Sequence, residues 1–464
     1  MLDNFADTVQ QIADAVCGYP LFLTLIGGGL FLFLYSGMVS LRRLPHAFRA
    51  VVTRQQTGRG EISSAQALAS VVAATVGMGN IAGVAIAIVM GGPGAVFWMW
   101  ISAIVGMSTK YHEGVLAIKY RSRDKDGSPL GGPMHIIRNA LSARWRPMAA
   151  LFATAGMFGT LCIMNANQLT EAALSTASGI TEIGNPVLFK ALFGIVVASV
   201  VALVVIGGVR RIARVASVLV PFMVGAYFLM VFYIVITNLE AVPGVFHSIF
   251  SEAFSLRAGW GGLAGIAIIG ARRAALVNDA GVGTASIMHG TSANREPVRE
   301  GLVAMLGPAI DSGFVCTLTA LAILLCGDLS AATGDIKGLS VALDAFGKAI
   351  PLGEYLLMAI VACFAMSSMF SYSFYGGRCA HYLFGERGTR AYTWFFIASL
   401  VIFAVIPLSF AVGLCDLFYA LMAFPTMLTL ILLRKRVKEE TERYFSTDRK
   451  EHATSEMLAD KVCD

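Results

Sequence analysis

Ala74-Thr75-Val76-Gly77-Met78-Gly79-Asn80-Ile81-Ala82-Gly83 lies inside an apolar run from about residue 62 to residue 90, and it reads as a membrane helix built to break. An unpaired N–H or C=O in hydrocarbon costs several kcal/mol, so irregular backbone is tolerated at bilayer depth only where it faces protein or a cavity. Gly77, Gly79 and Gly83 let another group approach the main chain closely. Half-helix ends carry roughly half an elementary charge, positive at N-termini and negative at C-termini, which suits a zwitterion and a cation together. Thr75 to Asn80 therefore form a candidate substrate and ion site, and the competing reading is a glycine-lined packing face between helices. Gly77-Met78-Gly79-Asn80-Ile81-Ala82 also fits a dinucleotide fingerprint, but that motif needs a strand before it and a ribose-binding acid about twenty residues on. Here the flanks are apolar helix and Trp98 to Ser102.

The composition is that of a polytopic membrane protein: of 464 residues, 56% are hydrophobic and 14% charged, with a mean hydropathy of +0.71. The net charge of +6 implies no nucleic-acid partner, because the basic residues cluster beside apolar runs as the positive-inside rule requires. Eight scattered cysteines without Cys-x-x-Cys spacing read as core fillers. Eleven spans are expected, at 17–41, 62–90, 95–118, 147–175, 186–207, 215–238, 260–290, 301–326, 353–384, 391–411 and 414–433, numbered here zero to ten. Their alternation puts Arg42–Arg59, Lys119–Arg146, Arg210–Arg214, Arg295, Arg299, Arg378–Arg390 and Arg434–Arg436 on the cytoplasmic side. Only Lys190, Arg257, Lys337 and Lys348 fall outside. The N-terminal stretch, with Asp3, Asp7 and Asp14 and no basic residue before Cys17, is expected outside and not to be a cleaved signal. An acidic outer loop is expected over about 327–352, and a loose cytoplasmic tail over 434–464.

A second interruption, Asn278-Asp279-Ala280-Gly281-Val282-Gly283-Thr284, falls in span 6, five spans after the first and in a helix of opposite direction. Broken spans at matching positions of oppositely oriented halves point to an inverted-repeat transporter with its site at the bilayer midplane. The chain then divides into an extra N-terminal helix with its loop (1–61), a first five-helix repeat (62–238), a second, inverted repeat (260–433) and the tail.

Polar groups inside spans are expensive and each calls for a partner. Asp279 is placed to attract a substrate ammonium or a cation, or else to pair with Arg272 or Arg273 or to cap the second half-helix. Asn278 stands beside it. Ser367 and Ser368 in span 8 are adjacent hydroxyls; taken alone they read as serines bonding back to a carbonyl one turn earlier. Asn165 in span 3 either cross-links helices or reads a ligand. Lys110 and Glu113, at i,i+3 near the inner face, read as a structural ion pair. Asp311 has no evident partner, and stands as a protonated acid, an indirect ligand or a proton site.

Gly91-Gly92-Pro93-Gly94-Ala95-Val96-Phe97-Trp98-Met99-Trp100, continuing to Gly106, together with Thr75 to Gly83, resembles the alanine/glycine:cation symporter family, also called sodium:alanine symporters. Weaker likeness runs through Gly131-Gly132-Pro133, Asn278 to Gly283, Cys316 to Ala320 and Tyr382 to Gly385. The resemblance implies an all-α membrane protein of leucine-transporter-like fold, multi-pass in a bacterial-type inner (plasma) membrane. It also implies sodium-coupled import of small neutral amino acids, with sodium as coupling ion and no obligate protein partner. The substrate would sit on Thr75, Gly77, Gly79, Asn80, Asn165, Asn278, Asp279 and Tyr372, and the sodium on Ser367, Ser368 and the carbonyls of Thr75 and Val76. The chain departs from the family pattern at Asn165 for Gln, at Val277-Asn278-Asp279 for Ser-Asn-Glu and at Tyr372 for Trp, which favours a neutral amino acid larger or more polar than alanine.

Rival readings are a sensor of the same fold that binds without translocating, an intramembrane enzyme, and proton coupling through Asp279 or Asp311. No paired metal ligands, Gly-x-Ser-x-Gly elbow or phosphate loop supports an enzyme.

Overall fold

Glycine and left-handed residues punctuate a chain that is otherwise nearly all helix. The computed structural model describes residues 19–53, 61–178, 182–254, 259–327, 338–406 and 408–446, so the expectations for 1–16, for most of the loop after 327 and for the tail beyond 446 lie outside the described residues. Among the described residues, six helices are long and apolar enough to cross a membrane: Ala143–Ser178, Pro186–Val205, Gly208–Thr237, Pro297–Cys326, Gly353–Val405 and Gly413–Leu432. A seventh candidate is the pair Ser64–Thr75 and Gly79–Gly91, bent by 58° at its break. A shorter apolar helix, Tyr19–Tyr35, comes first, and Gly94–Lys119 and Gly259–Asn278 run where spans 2 and 6 are expected. A two-residue antiparallel ribbon, Ser122–Arg123 with Pro129–Leu130, sits in the loop after span 2.

Several expected boundaries shift for local reasons. Span 3 is two helices, Arg146–Gly159 and Ile163–Ser178, parted at Cys162 with a φ of 54°. Spans 8 and 9 form the single run Gly353–Val405, turned inside by Gly385 at φ 68° and ψ −160°. The stretch after span 0 folds into two short helices, Val39–Arg42 and Leu44–Val52. The acidic outer loop contains the helix Gly338–Ala349. The tail is not loose up to 446: it is helical over 434–446, Val437 and Phe445 are buried, and Tyr111 and Lys119 of span 2 meet Thr441 at 2.7 Å and Glu440 at 2.5 Å.

Burial sorts the helices. Only 22% of the apolar stretch of span 4 and 28% of that of span 5 is buried, against 72% in the Gly353–Val405 helix. Leu192, Val196, Leu203, Phe222, Leu229 and Phe232 therefore face outward toward lipid, while span 8 runs through the interior. Small residues permit close helix approach. A Cβ on Gly94 would lie 2.5 Å from Ala253 N, and one on Gly270 would lie 2.3 Å from the Ala95 carbonyl. The indoles of the Phe-Trp-Met-Trp run are anchored, Trp98 Nε1–H on the Ala253 carbonyl at 3.1 Å and Trp100 Nε1–H on Thr317 Oγ1 at 2.7 Å.

Candidate functional site

The first break follows from what Asn80 does to the helical ladder. Span 1 begins in a capping box, Ser63 Oγ accepting the Gln66 N–H at 3.2 Å and Gln66 Oε1 accepting the Ser63 N–H at 2.9 Å. The helix ends at Val76, whose ψ of 95° is extended. A continuing ladder would direct the Gly77 N–H to the Ala73 carbonyl; instead it donates to Asn80 Oδ1 at 2.9 Å. The Ala73 carbonyl is released, and the hydroxyls of Ser367 and Ser368 donate to it at 3.0 and 3.3 Å, each shared with the Phe364 carbonyl at 2.9 and 3.2 Å. A Cβ on Gly77 would lie 2.8 Å from Ser368 Oγ, so glycine is what lets span 8 reach the break. Ser371 adds a third link, donating to the Ser70 carbonyl at 2.9 Å. Thr75 Oγ1 is turned back on the Val71 carbonyl at 3.2 Å, and the carbonyl that the serine pair engages is that of Ala73, not of Thr75 or Val76.

At the second break the chain leaves helix Gly259–Asn278 through left-handed residues, Asp279 at φ 53°, Gly281 at 87° and Gly283 at 97°, before the short helix Thr284–His289. Asn278 Oδ1 accepts the Ala280 N–H at 3.0 Å, and its Nδ2 donates to Ser312 Oγ at 3.2 Å. The Gly281 N–H goes to Glu113 Oε1 at 2.8 Å. Asp279 Oδ2 accepts from Thr284 Oγ1 at 3.3 Å and from the Tyr372 hydroxyl, which in turn accepts from Tyr419 OH at 2.6 Å. Neither structural alternative for Asp279 is realised: Arg272 faces Asp416 at 3.8 Å, and the helix at Thr284 has Gly283 as its cap with no side-chain bond.

The two breaks are packed together. A Cβ on Gly79 would lie 3.1 Å from Val277 Cγ2, and one on Gly106 would lie 3.2 Å from both Ala280 Cβ and Asn278 Nδ2. Span 7 completes the group with a π-helical stretch, Ala309–Val315, whose extra residue per turn aims Asp311 and Ser312 at the breaks. Asp311 does have a partner, since its carboxylate accepts from Asn80 Nδ2. Asn165 is half-buried and makes no hydrogen bond to either break. Its neighbour Asn167 is the cross-link, donating to the carbonyls of Phe403 at 3.2 Å and Ile406 at 2.6 Å. Lys110 and Glu113 are not an ion pair within 4.0 Å, nor are they at a wet inner face: both are fully buried.

A family model for the sodium:alanine symporter family matches residues 2–458. The chain belongs to the sodium:alanine symporter family. An uncharacterized transporter of Haemophilus influenzae is 38% identical over 453 residues, covering 94% of this chain and 96% of its own. The sodium/alanine symporter AgcS of Methanococcus maripaludis is 36% identical over 448 residues, covering 95% and 97%. The solved structure of MhsT in complex with L-phenylalanine aligns with a TM-score of 0.53 at 15% identity over 83% of this chain and 89% of that one, which shows a leucine-transporter-like fold. This symporter-family chain is a multi-pass membrane transporter and not an enzyme.

Sequence reasoning misses Tyr419, Tyr375, Cys162 and the Ala73 carbonyl. Tyr375 packs edge-on against Tyr372 with ring centroids 5.4 Å apart, and Cys162 is buried at the left-handed turn within span 3. Span 10 gives no glycine break to flag Tyr419, its one acid, Asp416, faces Arg272 instead, and a single positive-φ cysteine leaves no sequence signature. Glu300 is also missed: fully buried, it accepts from Ser64 at 2.5 Å, Ser292 at 2.9 Å and Asn294 at 3.1 Å and meets His289 Nδ1 at 2.6 Å, tying the start of span 1 to spans 6 and 7.

Proposed function

We propose that the protein is a sodium-coupled symporter importing a small neutral amino acid, with eleven spans in two inverted five-helix repeats, 62–238 and 260–433, after an extra N-terminal helix. The N-terminus lies outside and the C-terminus in the cytoplasm. The observation that carries the reading is the pair of helix breaks packed against each other with Ser367 and Ser368 on the released Ala73 carbonyl. Sodium takes hard oxygen ligands, and each serine hydroxyl keeps lone pairs after donating its proton. The ion is held by Ser367, Ser368 and carbonyls at the end of the first half-helix, with Ala73 added to Thr75 and Val76.

The substrate carboxylate sits at the start of the second half-helix. The Gly77 N–H is already committed to Asn80, so the donors are those of Met78 and Gly79, which begin a helix and have no partner one turn back. The substrate ammonium faces Asp279. The side chain meets Asn165, Asn278 and Tyr372. At about 100 mV and a tenfold gradient, one sodium supplies roughly 3.7 kcal/mol, enough for several-hundred-fold accumulation of a neutral solute.

The departures at Asp279 and Tyr372 act as a unit. A shorter acid and a phenol in place of an indole meet through the Tyr372–Asp279 hydrogen bond. The pocket is wider than one built from Glu and Trp and carries a hydroxyl edge, which favours serine, threonine, asparagine or glutamine over alanine and glycine. Equilibrium binding of an amino-acid panel to purified protein, with sodium and with potassium, tests both parts. Binding that needs sodium and ranks a polar neutral amino acid above alanine is expected; sodium-independent binding refutes the coupling, and alanine or glycine ranking first refutes the wider pocket.

A further inference from the structure

Among the described residues, four buried polar atoms around the breaks have no hydrogen-bond partner: Lys110 Nζ, Glu113 Oε2, Asp311 Oδ2 and Tyr375 OH. Native interiors satisfy nearly all such atoms, so a group of orphans in one place marks where a ligand, water or ion belongs. Lys110 projects from span 2 toward span 7, where a Cβ on Gly307 would lie 3.7 Å from its Nζ, one helical turn before Asp311. It is fully buried, and the charges within its reach are Asp279 of span 6, Glu113 of its own helix and Asp311 of span 7. Lys110 Nζ therefore stands near three carboxyls without a hydrogen bond to any of them.

With all three carboxyls ionised, one ammonium would leave a deficit of positive charge that a low-dielectric interior does not tolerate unless protons or further cations offset it. A zwitterionic amino acid brings an ammonium, its carboxylate being taken by backbone N–H groups, and one sodium brings another charge. Lys110, substrate ammonium and one sodium then match Asp279, Glu113 and Asp311. We propose that Lys110 is a tethered cation occupying the place of a second coupling ion, so that the carrier moves one net charge with each amino acid. This rests on the sodium-symport reading.

The test is the charge-to-substrate ratio of the full-length protein in proteoliposomes, with labelled alanine as probe and the voltage set by a potassium gradient. Wild type is expected to move one charge per alanine. Lys110→Met, close in volume but neutral, is expected to admit another cation and move two, which at about 100 mV raises limiting accumulation roughly fifty-fold. A ratio of one in Lys110→Met, with half-saturating sodium within about twofold of wild type, overturns the proposal.

Should Lys110→Met fail to fold, Asp311→Asn decides the matter. It keeps the tethered charge and removes a carboxyl, so half-saturating sodium is expected to rise at least about tenfold, and an unchanged value overturns the proposal. Lys110→Met combined with Asp311→Asn is expected to return the ratio to one; a ratio that stays at two overturns it. Wild-type uptake that ignores sodium in the same vesicles refutes the parent reading instead, so the two failures are separable.

Discussion

Replacing Gly79 with Val probes the first break where packing and recognition meet. A Cβ there would lie 3.1 Å from Val277 Cγ2 and 3.9 Å from Val277 Cβ, and valine adds two more carbons beyond it. Overpacking of this kind costs about 1–3 kcal/mol, a factor of roughly five to 150 in an equilibrium constant. The same side chain also covers the amides expected to hold the substrate carboxylate, a loss that relief of packing does not restore. Val277→Ala separates the two, because it vacates the volume that the new methyls need. Gly79→Val is expected to abolish measurable amino-acid binding, and adding Val277→Ala should restore thermal stability but not affinity. Binding measured by isothermal titration alongside thermal unfolding in detergent gives both readouts. Full recovery of affinity in the double variant would show that Gly79 serves helix packing alone, and wild-type affinity in Gly79→Val by itself would refute the carboxylate site.

Ser367→Ala with Ser368→Ala should raise half-saturating sodium by about ten- to a hundredfold, or about 1.4–2.8 kcal/mol, in uptake assays, while the protein stays folded; unchanged sodium dependence contradicts the assignment. Tyr372→Phe strips Asp279 of a buried donor and is expected to weaken substrate binding by about 1–3 kcal/mol, measured by titration. Tyr372→Trp with Asp279→Glu should shift competition toward alanine, whereas Tyr372→Trp alone should bind every substrate poorly because the hydroxyl contact to Asp279 is gone. Glu300→Ala removes the buried carboxylate on which Ser64, His289, Ser292 and Asn294 converge and should destabilise the protein by about 3–5 kcal/mol, seen as early thermal unfolding.

The helix breaks are legible in sequence because glycine and left-handed backbone leave a mark there: the runs around Gly77–Gly79 and Gly281–Gly283 stand out within apolar segments, and both are breaks in the structure. Asn80 and Asp311 lie far apart along the chain, and no spacing rule joins them, so their hydrogen bond emerges only in three dimensions. The i,i+3 reading of Lys110 and Glu113 fails for a similar reason. Helical spacing permits a pair, yet Glu113 is claimed by the Gly281 N–H at the other break. The tail reads as loose because it is charged, whereas its helix buries Val437 and Phe445 on one face and keeps Lys119 as an ionic partner at 2.5 Å. The parting of span 3 at Cys162 turns on one left-handed residue that is not glycine, and an apolar run gives no sign of it.

Concentrative uptake under an imposed sodium gradient bears most directly on what this protein does. Purified protein in vesicles at equal pH on both sides, with sodium outside and potassium inside, should accumulate a labelled neutral amino acid above the outside concentration and lose it when a sodium ionophore collapses the gradient. Uptake that only equilibrates, or that a proton gradient drives equally well with potassium replacing all sodium, would contradict sodium symport.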